Sequence, residues 1–416
     1  MRFKAAPVVL ILILGTAVLA QNAGKTAAAS ATVPMALDQG RVVVDVDLPL
    51  PDGSTERVRG WVDNGNPDLT MNRRVASLLG LNVVCNGQIC SGTPKSPDIA
   101  LEIAIGGMKI VLSQVGEKTK EIRIAATPAL APGMSAEMNI PSTVLRNYDV
   151  LFNFPDREFT IGLPGLLKFN GVKDKMLLNA DGLIRIPSKM ENKNHDLGLD
   201  LGSSINFLST ELFDKLSSAH PDWPHMTGAV GPFNTGESSS ESNWRLMRVD
   251  RVQYGPLFLT DVAVTDFPSD RSIRFATAAV LGYEALMNYR VGLDYAHSTV
   301  YFDIGRTVRF PDFDVAGLIL RPEGDNAFTI AGLADFDGKP SVAGVQTGDH
   351  LVAVGDTPVA DLTLGEVWAL LEGSPGQERK LTVERAGKQF TVIAKVQHFL
   401  GELPGNDDAK RKSKKN

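Results

Sequence analysis

Two short stretches carry the residues best suited to chemistry. One is Asp63-Asn64-Gly65, in "GWVDNGNPDL"; the other is Asp200-Leu201-Gly202, in "LGLDLGSSIN". In each, an apolar run leads into an aspartate and a glycine follows two positions on. A short helical pattern comes next, "RRVASLLGL" in one case and "STELFDKLSSAH" in the other. Asp-x-Gly alone is a weak signal, since Asp196-Leu197-Gly198 and Asp303-Ile304-Gly305 also have it. Duplication singles out Asp63 and Asp200. They lie 137 residues apart, and Ser142–Ile161 aligns with Tyr283–Phe302 at an offset of 141. There Leu145, Asn147, Tyr148 and Val150 match Leu286, Asn288, Tyr289 and Val291. Each half thus reads as apolar strand, Asp-x-Gly, short helix and, some 80 residues later, a Leu-x-Asn-Tyr-x-Val strand pair. Asp196 has no counterpart in this register. Two carboxylates held close cannot both ionise cheaply, so such a pair shares one proton and can act as acid and base together.

The elements that must position these aspartates are mostly strands. From about Ala36 to Asp303, runs such as "RVVVDVDLPL", "IALEIAIGG", "YDVLFNF" and "FLTDVAVTDF" alternate with Gly, Pro and Asn turns. The duplication divides this region into a first lobe, residues 36–165, and a second, residues 166–310. Residues 315–400 read differently: strands, a Gly turn, the helix "LTLGEVWALLEG" and a final strand pair around Ala386-Gly387. This predicts a separate α+β module, with its boundary in "RTVRFPDFDVAG".

The N-terminus reads as a targeting segment. "MRFK" supplies positive charge, and "PVVLILILGTAVLA" is too short for a membrane span and ends in small residues. The expectation is a signal peptide over residues 1–20, with membrane attachment only if it stays uncleaved. Residues 21–35 are small and polar and are expected to form a disordered linker. Residues 401–416 end in "KRKSKKN" and are expected to form a disordered basic tail. "NTGESSSES", Asn234–Ser242, is expected to be a mobile surface loop. The formal net charge of -6 gives no reason to expect nucleic acid as a partner.

Only two cysteines occur, Cys85 and Cys90, around an Asn-Gly turn signal. Either they pair across a hairpin in an oxidising compartment, or both are free thiols. No His-Glu-x-x-His, zinc-spaced ligand cluster or phosphate-binding glycine loop occurs, so no metal and no organic cofactor is expected.

The duplicated region resembles the pepsin- and retropepsin-like aspartic proteases, in particular bacterial secreted forms. The resemblance rests on the two Asp-x-Gly elements and on "AVLGYEALMNYRVGLDYAHSTVYF". The terminal module resembles a PDZ domain through "AGVQTGDHLVAVGDTPV" and the helix after it. Together these imply a mostly-β, two-lobed, pseudo-twofold acid-protease-like β-barrel domain followed by an α+β PDZ-like domain. They imply an exported endopeptidase, periplasmic or secreted, acting on a peptide or protein substrate through a two-aspartate activated-water mechanism. Asp63 and Asp200 would be the catalytic pair, supported by Gly65, Gly202, Asn64 and Ser203. A flap hairpin would cover the cleft, with "VCNGQICSG" one candidate. The PDZ-like module would add the C-terminus of a peptide to a sheet edge, with its carboxylate loop near "RPEGDNA".

The family usually carries Thr or Ser after each aspartate, and those hydroxyls brace the pair across the lobes. Here the positions hold Asn64, which can donate and accept, and Leu201, which can do neither. The first lobe also has Ile140-Pro141 where the second has Leu281-Gly282. Three functions are compatible with this pattern: an active peptidase, a catalytically impaired relative that binds peptides in the cell envelope, and an unrelated β-rich binding or structural protein.

Overall fold

Alternating apolar residues dictate the architecture. In Arg41–Pro49 and Thr55–Asp63 the apolar side chains turn inward, and the two strands pair antiparallel from Val43↔Trp61 to Pro49↔Thr55. The computed structural model describes residues 28–404, apart from residues 51, 88, 96–99, 114–121, 237–238, 267–273, 307–312, 325–326 and 337. The chain folds as mostly-β, with two lobes built on separate sheets and a third sheet joining them.

The first-lobe sheet has ten strands. The Asp63 strand lies in its interior, between Arg41–Pro49 and Met138–Pro141, and runs parallel to the latter with Asp63 opposite Pro141. The second-lobe sheet has eight strands. Lys193–Leu199, which delivers Asp200, lies between Ile184–Met190 and Ala279–Leu281 and is parallel to the latter, with Leu199 opposite Leu281. In both lobes the aspartate therefore sits at the end of a strand flanked on both sides, so neighbouring strands hold its backbone.

The joining sheet shows what the duplication is for. Asp149–Asn153 pairs antiparallel with Tyr289–Asp294, its counterpart in the other half. At the repeat offset of 141, Leu151 and Gly292 are equivalent, and they are also paired. That pair marks the pseudo-twofold axis. Phe152, Phe154, Phe159 and Phe302 are buried beside it, with the Phe152 and Phe159 rings edge to face at 5.3 Å.

The same sheet corrects the N-terminal expectation. Ser30–Pro34 is a strand, paired from Ser30↔Gly162 to Pro34↔Glu158. The segment expected to be a linker is thus ordered from residue 28 onward. Its small residues fit because Ala31 faces the core and Thr32 faces Thr160, with the two hydroxyls 2.8 Å apart. The expected signal peptide lies outside the described residues. At the other end, Gly401–Pro404 is not a free tail. Leu403 is buried, and the carbonyls of Leu400 and Gly401 accept from Arg248. Residues 405–416 lie outside the described residues.

The C-terminal module is a sheet in the order Leu318–Pro322, Phe328–Leu333, His350–Val354, Glu378–Arg385, Lys388–Lys395, with the helix Leu364–Leu371 packed against it. The helix carries a capping box between Thr363 and Glu366 and buries Leu364, Val367, Trp368 and Leu371. Its core is continuous with second-lobe residues, among them Ile205, Val230, Phe233 and Trp244. The strand after "RPEGDNA", Phe328–Leu333, pairs with Leu318–Pro322 along its length and with His350–Val354 at Phe328 and Thr329. The free edge on that side of the sheet belongs to Leu318–Pro322.

Candidate active site

Asp63 and Asp200 meet where the lobes join, each only 1% exposed. The Gly65 N–H lies 3.2 Å from Asp63 Oδ1. Asp200 Oδ1 accepts from the N–H groups of Gly202 at 3.1 Å and Ser203 at 2.9 Å. Backbone N–H groups aimed at a carboxylate favour its charged form and fix its orientation. The Asp200 N–H is itself tied to the Leu281 carbonyl at 2.9 Å.

The glycines explain how closely the lobes approach. A Cβ on Gly65 would lie 2.0 Å from Cγ of Asp200, and one on Gly202 would lie 2.6 Å from Oδ1 of Asp63. Each carboxylate therefore packs on the glycine of the opposite lobe. Any side chain at either position would push the pair apart.

Asn64 braces the junction on both sides of Asp200. Its Nδ2 donates to the Leu199 carbonyl at 2.8 Å and its Oδ1 accepts from the Leu201 N–H at 2.7 Å. Both partners flank Asp200. Leu201 returns no polar contact. Its side chain is fully buried in the main apolar core. The Ser203 hydroxyl turns away from the carboxylates, to the Ile205 carbonyl at 3.1 Å, so Ser203 reaches Asp200 through its backbone only.

Trp61 supplies a second crossing that the sequence pattern missed. Its Nε1 donates to the Gly202 carbonyl at 3.0 Å. The available signal was parity: two residues before Asp63 on a strand is the same face. Arg41 lies over the Trp61 ring, 5.8 Å from its centroid, and donates to Gln39 Oε1 at 3.2 Å.

Around Asp200 the second lobe is tightly buried. The Tyr254 hydroxyl donates to the Gly198 carbonyl at 3.0 Å, and burial, with the charge of Asp200 added, holds this phenol well above its ordinary range. Asn206 Oδ1 accepts from the Gly282 N–H at 2.7 Å, while its Nδ2 donates to Glu284. Burial pushes the Glu284 carboxyl up to about 7, against the opposing pull of Arg248 and of its Asn206 and Ala263 hydrogen bonds.

The hairpin Leu81–Asn86 and Ile89–Pro94 extends the edge of the first-lobe sheet. Cys85 and Cys90 face each other across it and are disulfide-bonded. Arg73 donates to both sulfurs, and Val84 and Ile89 are exposed at its end.

No protein-family model matches this sequence, and no curated protein is similar to it by sequence. Among solved structures, the fold is similar to the aspartic proteinase from Irpex lacteus, at 12% identity and a TM-score of 0.41, covering 67% of this chain and 98% of that one. It is also similar to basic 7S globulin from soybean, at 13% identity and a TM-score of 0.39, covering 66% and 94%. The chain is a two-lobed, mostly-β fold in which Asp63-Asn64-Gly65 of one lobe meets Asp200-Leu201-Gly202 of the other at the junction.

Proposed function

We propose that this protein is an exported aspartic endopeptidase, periplasmic or secreted, whose C-terminal PDZ-like module binds peptide. The observation that supports this most is the reciprocal packing of Asp63 and Asp200 on Gly202 and Gly65. Two carboxylates confined in this way hold one proton between them. The ionised partner takes a proton from water as the water oxygen bonds to the scissile carbonyl carbon. The protonated partner donates to the carbonyl oxygen. The resulting gem-diol then collapses, the C–N bond breaks, and the amine leaves with a proton from the pair. No metal or organic cofactor enters this sequence.

Export is supported by the charged-then-apolar N-terminus of the sequence and by the Cys85–Cys90 disulfide. The test is cleavage of a diverse peptide mixture between about pH 3 and about pH 8, beside Asp63→Asn and Asp200→Asn. Cleavage that disappears in both variants supports the reading. Cleavage that survives in either sinks it, and a folded wild type that cleaves nothing leaves a peptide-binding protein without catalysis.

A further inference from the structure

The free edge of the C-terminal sheet is already filled. Leu320, in the middle of the edge strand, points its N–H and C=O away from the sheet. Asn234 of the second lobe meets both: its Oδ1 accepts from the Leu320 N–H at 2.8 Å and its Nδ2 donates to the Leu320 carbonyl at 3.0 Å. A carboxamide offers one donor and one acceptor, the same pair that the peptide units of an added strand would offer.

The residues around Asn234 fill the groove between this edge and the helix Leu364–Leu371. Phe233 lies against Phe313, with centroids 5.4 Å apart, and shares one core with Val315 and the helix side chains. Gly236 is pressed close to Pro322 and Leu364, where a Cβ would lie 2.7 Å and 2.9 Å from their side chains. Asn234 and Glu241 are fully buried, and the Glu241 carboxylate accepts from Asn234, the Thr235 hydroxyl and the Gly236 N–H. The stretch expected to be a mobile surface loop is, over these residues, an interior wedge.

The first lobe also holds the wedge. Gln39 donates to the Asn234 carbonyl and Arg41 to the Thr235 carbonyl. The Leu364 N–H, at the start of the helix, donates to the Gly133 carbonyl at 2.8 Å.

We infer that the Leu318–Pro322 edge is a strand-accepting peptide site closed in cis by Val230–Gly236. The segment blocks the edge as a short 3-10 turn whose Asn234 side chain takes the place of a strand's peptide groups, and the C-terminal module takes a peptide of the same chemistry, an apolar aromatic followed by a carboxamide, once the segment is released. This rests on the proposed peptide-binding role of the module, though not on peptidase activity.

The experiment uses the full chain, as wild type and as Asn234→Ala. Hydrogen exchange at the Leu320 amide is read first, then binding of a fluorescent peptide copying Ala229–Gly236. Asn234→Ala is expected to speed Leu320 exchange by roughly tenfold or more. It should also bind the peptide at least roughly tenfold more tightly than wild type does, with the bound peptide slowing Leu320 exchange again. Gly236→Ala, whose added methyl crowds Pro322 and Leu364, is the second variant and should act in the same direction if Asn234→Ala fails to fold. Unchanged Leu320 exchange in a folded variant overturns cis closure. Faster exchange without tighter peptide binding overturns the strand-accepting site. Neither readout needs cleavage, so loss of the peptidase reading leaves both intact.

Discussion

Asn64 holds the backbone on both sides of Asp200 and receives nothing from the Leu201 side chain in return. Its carboxamide bonds the Leu199 carbonyl and the Leu201 N–H, so one side chain of the first lobe braces the second lobe's aspartate from before and behind. The brace is one-way. One bifunctional side chain on the first lobe makes two contacts across the junction. Leu201 is thereby free to serve the core.

Asn64→Ala should be costly. It leaves a buried carbonyl and a buried N–H without partners, at about 1–3 kcal/mol each. We expect a loss of roughly 2–5 kcal/mol in urea unfolding. Leu201→Thr should not compensate, because it puts a hydroxyl into an apolar core. A double variant as stable as wild type would show that the brace can be rebuilt from the other side, contrary to this account.

Gly65→Ala should separate the carboxylates. The added methyl falls 2.0 Å from Cγ of Asp200, against 2.6 Å from Asp63 Oδ1 for Gly202→Ala. Both variants should lose turnover by roughly a hundredfold or more, with Gly65→Ala the worse, measured by initial rates on a cleaved peptide. Equal, unimpaired rates would mean that the two carboxylates need not adjoin.

Glu284 predicts a pH dependence of stability. Its carboxyl is held up to about 7 in the fold, mainly by burial, against an ordinary value of 4.5. The unfolded chain therefore releases this proton first, and the folded chain keeps it. The contribution is fully present below about pH 4.5, is lost as pH rises, and is gone above about pH 7, with a total of about 3 kcal/mol. Arg248 and Asp261 act on the same group with opposite signs, so the slope is a balance among them. Urea unfolding at steps between these values should show the decline, and Glu284→Gln should flatten it. An identical slope in Glu284→Gln assigns the dependence to another group.

Reduction of Cys85–Cys90 should loosen the hairpin locally. Closing so short a loop restricts the open chain by about 2 kcal/mol in the chain-entropy account. Exchange of the amides of residues 81–86 and 89–93 should quicken after reduction while the Asp63 strand stays protected. Thiol titration of the unreduced, denatured protein should find no free thiol, and two reactive thiols would remove the bond.

Several features were legible in the sequence because they are local or periodic. The offset of about 140 between halves announced the pseudo-twofold, and Asp63 and Asp200 stood out by keeping that register. The helices Arg73–Leu78, Thr210–Ala219 and Leu364–Leu371 lay within the segments their apolar spacing marked. Ser30–Pro34 was missed because its composition is that of a linker. Only the edge of Glu158–Gly162 makes it a strand.

The sequence by itself determined a duplicated, strand-rich chain with one Asp-x-Gly per half in the register of the repeat, two cysteines around a turn signal and a distinct final module. The tertiary structure alone decided which partner each polar group would find. Nothing in the order of residues says that Trp61 would reach Gly202, that Asn64 would reach past Asp200 on both sides, or that Asn234 would close the Leu320 edge. Those bonds join residues 86 to 141 positions apart. Local propensity and hydrophobic period act over a few turns of chain, whereas a buried donor or acceptor must be satisfied by whatever the packing of whole sheets brings beside it.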